Sequence, residues 1–325
     1  MNTQNKYWEL HTSCLVADTV LPFDIYIWQQ GKPILWRGKS TELLQKDIGR
    51  LIESGVNRVA ISIRDKEKYL EYLEPITQKL ILDDKVPPEY KAYIVRESTS
   101  KVLSKLFKEP TNARTAKRLE SLVFPIIDLL MSGSSMAPLK FLIGSGSMAF
   151  SYAPHGARTC YYTIAFARSY ANYFTEDKIR QLAMGALLHD VGQMLVKPAI
   201  REKEGKFTDK ERSEMEKHPV HSVNIIKRGN IFVCNEATMV AVKSHHELGD
   251  KSGYPLGLPL FELPLEANIL AIAHTFESYT VQRVHRNAAK SYDVIKYFLD
   301  NPGKYQPKFV KKFVKVLAEL EVYSS

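Results

Sequence analysis

Hydrophobic positions fall into short β-rich runs near the N-terminus and into helical spacing over the rest of the chain. FDIYIW and KPILWR flank Gln29-Gln30-Gly31 and predict a hairpin. Ser40 and Thr41 offer an N-cap for TELLQKDIGRLIESG, whose apolar spacing is helical and whose end is marked by Gly55. NRVAISI reads as a strand and DKEKYLEYLEPITQKLI as a helix. This β-β-α-β-α segment has no nucleophile, metal cluster or phosphate loop, so sensing, dimerisation, protein contact or plain structural support is expected of it. The adjacent prolines of DDKVPPEY mark a boundary, after which RESTSKVLSKLF and TAKRLESLVFPIIDLLMSG are helical up to the Gly/Ser-rich break GSGSMAFSYAPHG. From about Ala157 the chain is a succession of amphipathic stretches with short connections. The expected fold is α+β, with a small mixed α/β domain over residues 1–85, a helical linker region over 86–150 and an all-α bundle over 151–325.

Composition agrees with a globular protein. At 325 residues, 45% hydrophobic and 25% charged, the chain suits two domains better than one core. No apolar run approaches the ~20 residues that span a bilayer, and MNTQNKYWEL lacks the features of a signal peptide. Cys14, Cys160 and Cys234 show no metal-type spacing, which fits a reduced, cytoplasmic setting. The net charge of +9 favours an anionic partner. Its densest run, KYQPKFVKKFVKVL, reads as the solvated face of a helix, and no nucleic-acid motif or aromatic platform accompanies it.

Candidate chemistry changes this picture. Eight of the nine histidines lie between His155 and His285. His189-Asp190 ends the apolar run IRQLAMGALLHDVGQMLV, where unpaired polar groups are costly. Thr208 caps a helix that delivers His218. His245 and His246 precede the turn-rich HELGDKSGYPLGLPL, and EANILAIAHTFESYTVQR puts His274 and Glu277 on one helical face. Imidazoles are common metal ligands and an aspartate can bridge two ions, so these residues predict a metal centre on a helical frame. His221 and His285 read as surface or packing histidines.

The order HD, HP, HHE, then an intact Gly253-Tyr254-Pro255, resembles the HD-GYP subgroup of the HD phosphohydrolase superfamily over roughly residues 150–320. The resemblance implies a helical bundle around two or three divalent ions, iron or manganese, and a bacterial signalling enzyme that hydrolyses cyclic di-GMP or a related nucleotide. By that resemblance His189, Asp190, His218, His245, His246 and His274 hold metal, with His155 and Glu277 as further candidates. Asp190 bridges, and Asp190, Gln193 and Tyr254 occupy catalytic positions. Tyr254, Lys251, Arg283 and Arg286 meet the substrate. From the N-terminal domain, a protein partner and a homodimer are further expectations.

The chain departs from the family pattern at several positions. Gln193 stands where the family has a lysine, and glutamine cannot transfer a proton at neutral pH. A family ligand upstream of the HD pair falls by counting at Ala157, which cannot bind metal; His155, two residues away, substitutes if the helix start is shifted. His274 replaces an aspartate and brings no negative charge, Glu277 replaces a second aspartate, and Lys251 replaces a glycine. Three readings follow. The first is a metal-dependent phosphodiesterase, with reduced activity if the lysine matters. The second is an impaired protein acting as cyclic di-GMP receptor or scaffold. The third is another HD-superfamily nucleotide phosphohydrolase.

Overall fold

The structure, a computed structural model, describes residues 6–73, 77–83, 86, 88–110, 112–131, 136–144, 152–228, 235–282 and 287–320. These form two compact units, Met1–Ser98 and Thr99–Ser325.

The first unit contains β1 (Tyr7–His11), β2 (Thr19–Val20), β3 (Ile25–Gln29), β4 (Lys32–Arg37), β5 (Glu42–Leu43), α1 (Gln45–Glu53), β6 (Arg58–Ser62), α2 (Lys66–Leu73) and α3 (Thr77–Leu82). The start of α4 (Pro88–Lys108) belongs to it as well. Four strands make an antiparallel sheet in the order β1-β6-β3-β4. The expected hairpin is β3–β4, turning at Gln30 and Gly31 with φ of 49° and 75°, as a two-residue primed turn requires. Phe23, Ile25, Val59, Ile61, Tyr69 and Leu73 pack between sheet and helices.

Two elements depart from the β-β-α-β-α order. The alternation in Tyr7–His11 also forms a strand, which pairs along the whole length of β6. The helix expected from Ser40 and Thr41 starts later, because Glu42–Leu43 pairs with Thr19–Val20 and Leu44 becomes the N-cap. Its predicted end holds: Gly55 has φ of 73°.

The second unit is helical, with α5 (Ala113–Met131), α6 (Ala137–Gly144), α7 (Tyr152–Arg168), α8 (Glu176–Leu188), α9 (Pro198–Arg201), α10 (Asp209–Met215), α11 (His218–Arg228), α12 (Glu236–Ser244), α13 (Leu265–Thr280), α14 (Ser291–Asp300) and α15 (Pro307–Glu319). A short 3-10 turn, Val191–Leu195, follows α8. The helix α13 is buried almost all round, as expected of a bundle's central element, and packs on α7 and α12. Phe276 of α13 meets Phe313 of α15 at 5.4 Å, and Phe313 meets Phe166 of α7 at 4.9 Å. In α15, Phe309, Val310, Phe313, Val316 and Leu317 point inward while Lys308, Lys311 and Lys315 are exposed. That basic run is therefore the outer face of a packed amphipathic helix. Among the described residues no helix is long and apolar enough to cross a membrane.

Candidate metal centre

Three histidines stand just beyond helix C-termini, where the last carbonyls have no partner within the helix. His189 follows α8, His245 follows α12, and His218 opens α11 just past the end of α10. Each turns its Nδ1 back onto one of those carbonyls: His189 to Ala186 O at 2.7 Å, His218 to Met215 O at 2.8 Å and His245 to Val242 O at 2.7 Å. A carbonyl only accepts, so Nδ1 carries the proton and Nε2 presents a lone pair. Local helix geometry thus sets both tautomer and aim.

Those lone pairs converge on Asp190. Its Oδ1 lies 3.1 Å from His218 Nε2 and 3.7 Å from His245 Nε2, and its Oδ2 lies 3.4 Å from His155 Nε2 and 3.5 Å from His189 Nε2. Two sets of potential donors result, His155–His189–Asp190–His274 and Asp190–His218–His245–His246, each with its atoms within 4.8 Å of one another. Asp190 belongs to both.

This arrangement fits divalent cations. Lone pairs on His218 and His245 face each other across 3.3 Å, as do the Nε2 atoms of His155 and His189. Two nitrogens each about 2.1 Å from one ion lie roughly 3.0–3.4 Å apart, so the spacing matches shared ligation. Asp190 Oδ1 and His274 Nδ1 are buried without a hydrogen-bond partner, a cost that a cation removes. Burial pushes the His189 imidazole down to about 3, lowers His245, and holds His246 and His274 well below the usual histidine range. The rings are therefore neutral and able to ligate at physiological pH.

His155, on the first turn of α7, takes the place that counting assigned to Ala157. Glu277 lies behind it: its carboxylate accepts from His155 Nδ1 and, at 2.7 Å, from Arg158 Nε. Glu277 is thus engaged by His155 and Arg158 and lies outside both donor sets. His155 and Arg158 hold its carboxyl below the usual range against the upward push of burial.

Around the donors, two glycines permit close approach. A Cβ on Gly192 would lie 2.2 Å from His218 O and 2.4 Å from Ser222 N, so only glycine lets the 3-10 turn touch α11. Ser222 fastens that contact, donating to His189 O at 2.6 Å and accepting from Gly192 N at 2.8 Å. On Gly253 a Cβ would lie 2.3 Å from Leu248 N. The loop it belongs to is held by Glu247, a buried carboxylate that accepts from Leu256 N at 2.6 Å and Leu258 N at 2.9 Å. Tyr254 is thereby stacked on His246, with centroids 4.5 Å apart and planes at 20°. Sequence reasoning missed the parts played by Glu247 and Ser222; the signal was a third polar residue attached to each histidine block.

The remaining predicted residues are placed as follows. Gln193 is half-buried on the 3-10 turn, and its side chain makes no hydrogen bond among the described residues. Lys251 is exposed, with φ of 67°. His221 is half-buried and outside both donor sets, consistent with a packing role. Arg283, His285, Arg286 and Cys234 lie outside the described residues. Cys14 and Cys160 are free and buried, and burial pushes the Cys14 thiol up to about 12.

A family model described as an HD domain matches residues 147–309. The chain belongs to that family. Over 148 residues it is 30% identical to the cyclic di-GMP phosphodiesterase response regulator RpfG of Xanthomonas campestris pv. campestris, covering 45% of this chain and 39% of that protein. A cyclic di-GMP phosphodiesterase of Thermotoga maritima is 30% identical over 151 residues, covering 46% and 41%. The match thus spans about two fifths of those relatives' length. The solved structure of Bd1817, a HDG"Y"P protein from Bdellovibrio bacteriovorus, shares the fold, with a TM-score of 0.62 at 19% identity over 96% of this chain and 99% of that one. With the HHE and GYP blocks in place, the HD domain here is of the HD-GYP subgroup, and its histidine–aspartate cluster is suited to binding divalent metal.

Proposed function

We propose that this HD-GYP chain is a divalent-metal-dependent phosphodiesterase acting on cyclic di-GMP. The observation that carries the reading is Asp190, whose two oxygens serve two histidine sets at once. Two bound ions, iron or manganese, would supply the Lewis acidity that activates a water and clamps phosphate oxygens. His155, His189 and His274 with Asp190 would hold one ion, and Asp190 with His218, His245 and His246 the other. Tyr254, fixed over His246, contributes its hydroxyl to a substrate phosphate. Lys251, Arg283 and Arg286 are assigned to the rest of the ligand's negative charge, in keeping with the basic chain. Gln193 can orient a leaving oxygen by donating a hydrogen bond but cannot protonate it. The relatives named as cyclic di-GMP phosphodiesterases support this substrate class.

Gln193 also favours a second reading, a receptor that binds the nucleotide without cleaving it, because a missing general acid costs about 10²–10⁴ in rate. The N-terminal unit is assigned protein contact under either reading, and the free Cys14 and Cys160 suit the cytoplasm. The deciding experiment is turnover of cyclic di-GMP by anaerobically purified protein loaded with iron or manganese, followed by chromatography. Linear or mononucleotide products support the enzyme. Bound nucleotide and metal without product support the receptor.

A further inference from the structure

The two donor sets are chemically alike, three imidazoles and one Asp190 oxygen each, but their surroundings differ. His155, His189 and His274 are all buried, and behind His155 stands the fully buried Glu277, clasped by Arg158. His246 of the other set is half-buried and meets the Tyr254 ring, at the start of a loop that exposes Leu256. Resting on the metal-dependent reading above, we propose that the centre is split in function: the His155 half is a closed, slowly exchanging site completed by Glu277, and the His246 half is the exchangeable, substrate-facing site.

The groups behind the donors support this division. Each half has three neutral imidazoles and a share of Asp190, so the two do not differ in the charge of their donors. They differ in what stands behind an imidazole: Glu277, its own charge paired with Arg158, accepts from His155 Nδ1, and a carboxylate on the far nitrogen of a ligating imidazole orients the ring and raises its basicity. Arg158 holds Glu277 in place at 2.7 Å. Closed sites shut off by protein retain their metal, whereas working sites keep a position for water or substrate. Glu277 is accordingly a positioning residue acting through His155.

The test loads the full chain with cobalt(II) and follows its removal by excess chelator, using metal content and visible absorption. Wild-type protein is expected to release one ion quickly and the other at least ~10-fold more slowly. Glu277→Gln should weaken the slow ion by about 10–100-fold and leave the fast one unchanged, with Glu277→Asp recovering part of the loss. His246→Ala should remove the fast ion alone. Release of both ions in one phase from wild type, or a slow phase untouched by Glu277→Gln, overturns the proposal. Should Glu277→Gln fail to fold, the wild-type phases and His246→Ala still decide. Failure of wild type to bind cobalt at all would instead remove the metal-centre reading beneath it.

Discussion

Asp190→Asn keeps the shape of the central side chain and removes its charge from both halves at once. Asp190 Oδ1 lies 3.1 Å from the nearest imidazole nitrogen of one set, and Oδ2 lies 3.4 Å from that of the other. Four-donor sites bind zinc with about 10–16 kcal/mol, so one donor in four is worth roughly 3–4 kcal/mol, on the order of 10²–10³ in affinity at each site. A 100-fold loss removes about 2.7 kcal/mol of binding-linked stability per ion, or about 5 kcal/mol for two. At roughly 2–4 °C per kcal/mol for a unit of this size, the metal-loaded variant should melt about 10–20 °C below metal-loaded wild type. Metal content after gel filtration and calorimetry with and without chelator measure both effects. Chelator should lower the Tm of wild type and leave the variant nearly unmoved. A variant that retains two ions and the full chelator-dependent shift refutes the bridging role. Loss of a single ion would show that Asp190 serves only one half.

Glu247→Ala leaves Leu256 N and Leu258 N without their acceptor and should cost about 1.5–3 kcal/mol by urea denaturation. Metal content should persist in that variant while any turnover falls, because the loop carries Tyr254; loss of metal would instead make Glu247 a support of the centre itself. Lys251→Gly relieves a left-handed conformation, φ 67°, and should stabilise the protein by about 0.5–1 kcal/mol, a gain absent if a ligand-side contact holds Lys251 there. In metal-stripped protein, burial keeps His189 neutral down to about pH 3, whereas the unfolded chain takes up that proton near pH 6.5. Stability is therefore intact above pH 6.5 and should fall with decreasing pH toward 3, by about 1.4 kcal/mol per unit from this group alone. A urea midpoint that stays flat from pH 6.5 to 5 would contradict this. Gln193→Lys should raise hydrolysis; an unchanged rate would place any defect among the metal donors.

Several features were legible in the chain because they depend on neighbours in sequence. The Gln30-Gly31 turn, the Thr208 cap and the solvated basic face of α15 are local, and each forms as its residues predict. The histidine blocks were legible as well, since imidazoles on apolar helix ends have few other uses. What the chain could not show was phase and partnership. Residues two apart on a helix point about 200° apart, so only the packing of α7 on α8 and α13 decides that His155, not Ala157, meets Asp190. The same packing brings His155 between Asp190 and Glu277, making that glutamate a support for a ligand although its position in sequence suited a ligand equally well. Glu42–Leu43 left its predicted helix for a strand because Thr19–Val20 lay alongside. Residue type and local spacing determined which side chains could bind metal; contacts between residues far apart in the chain determined which of them meet.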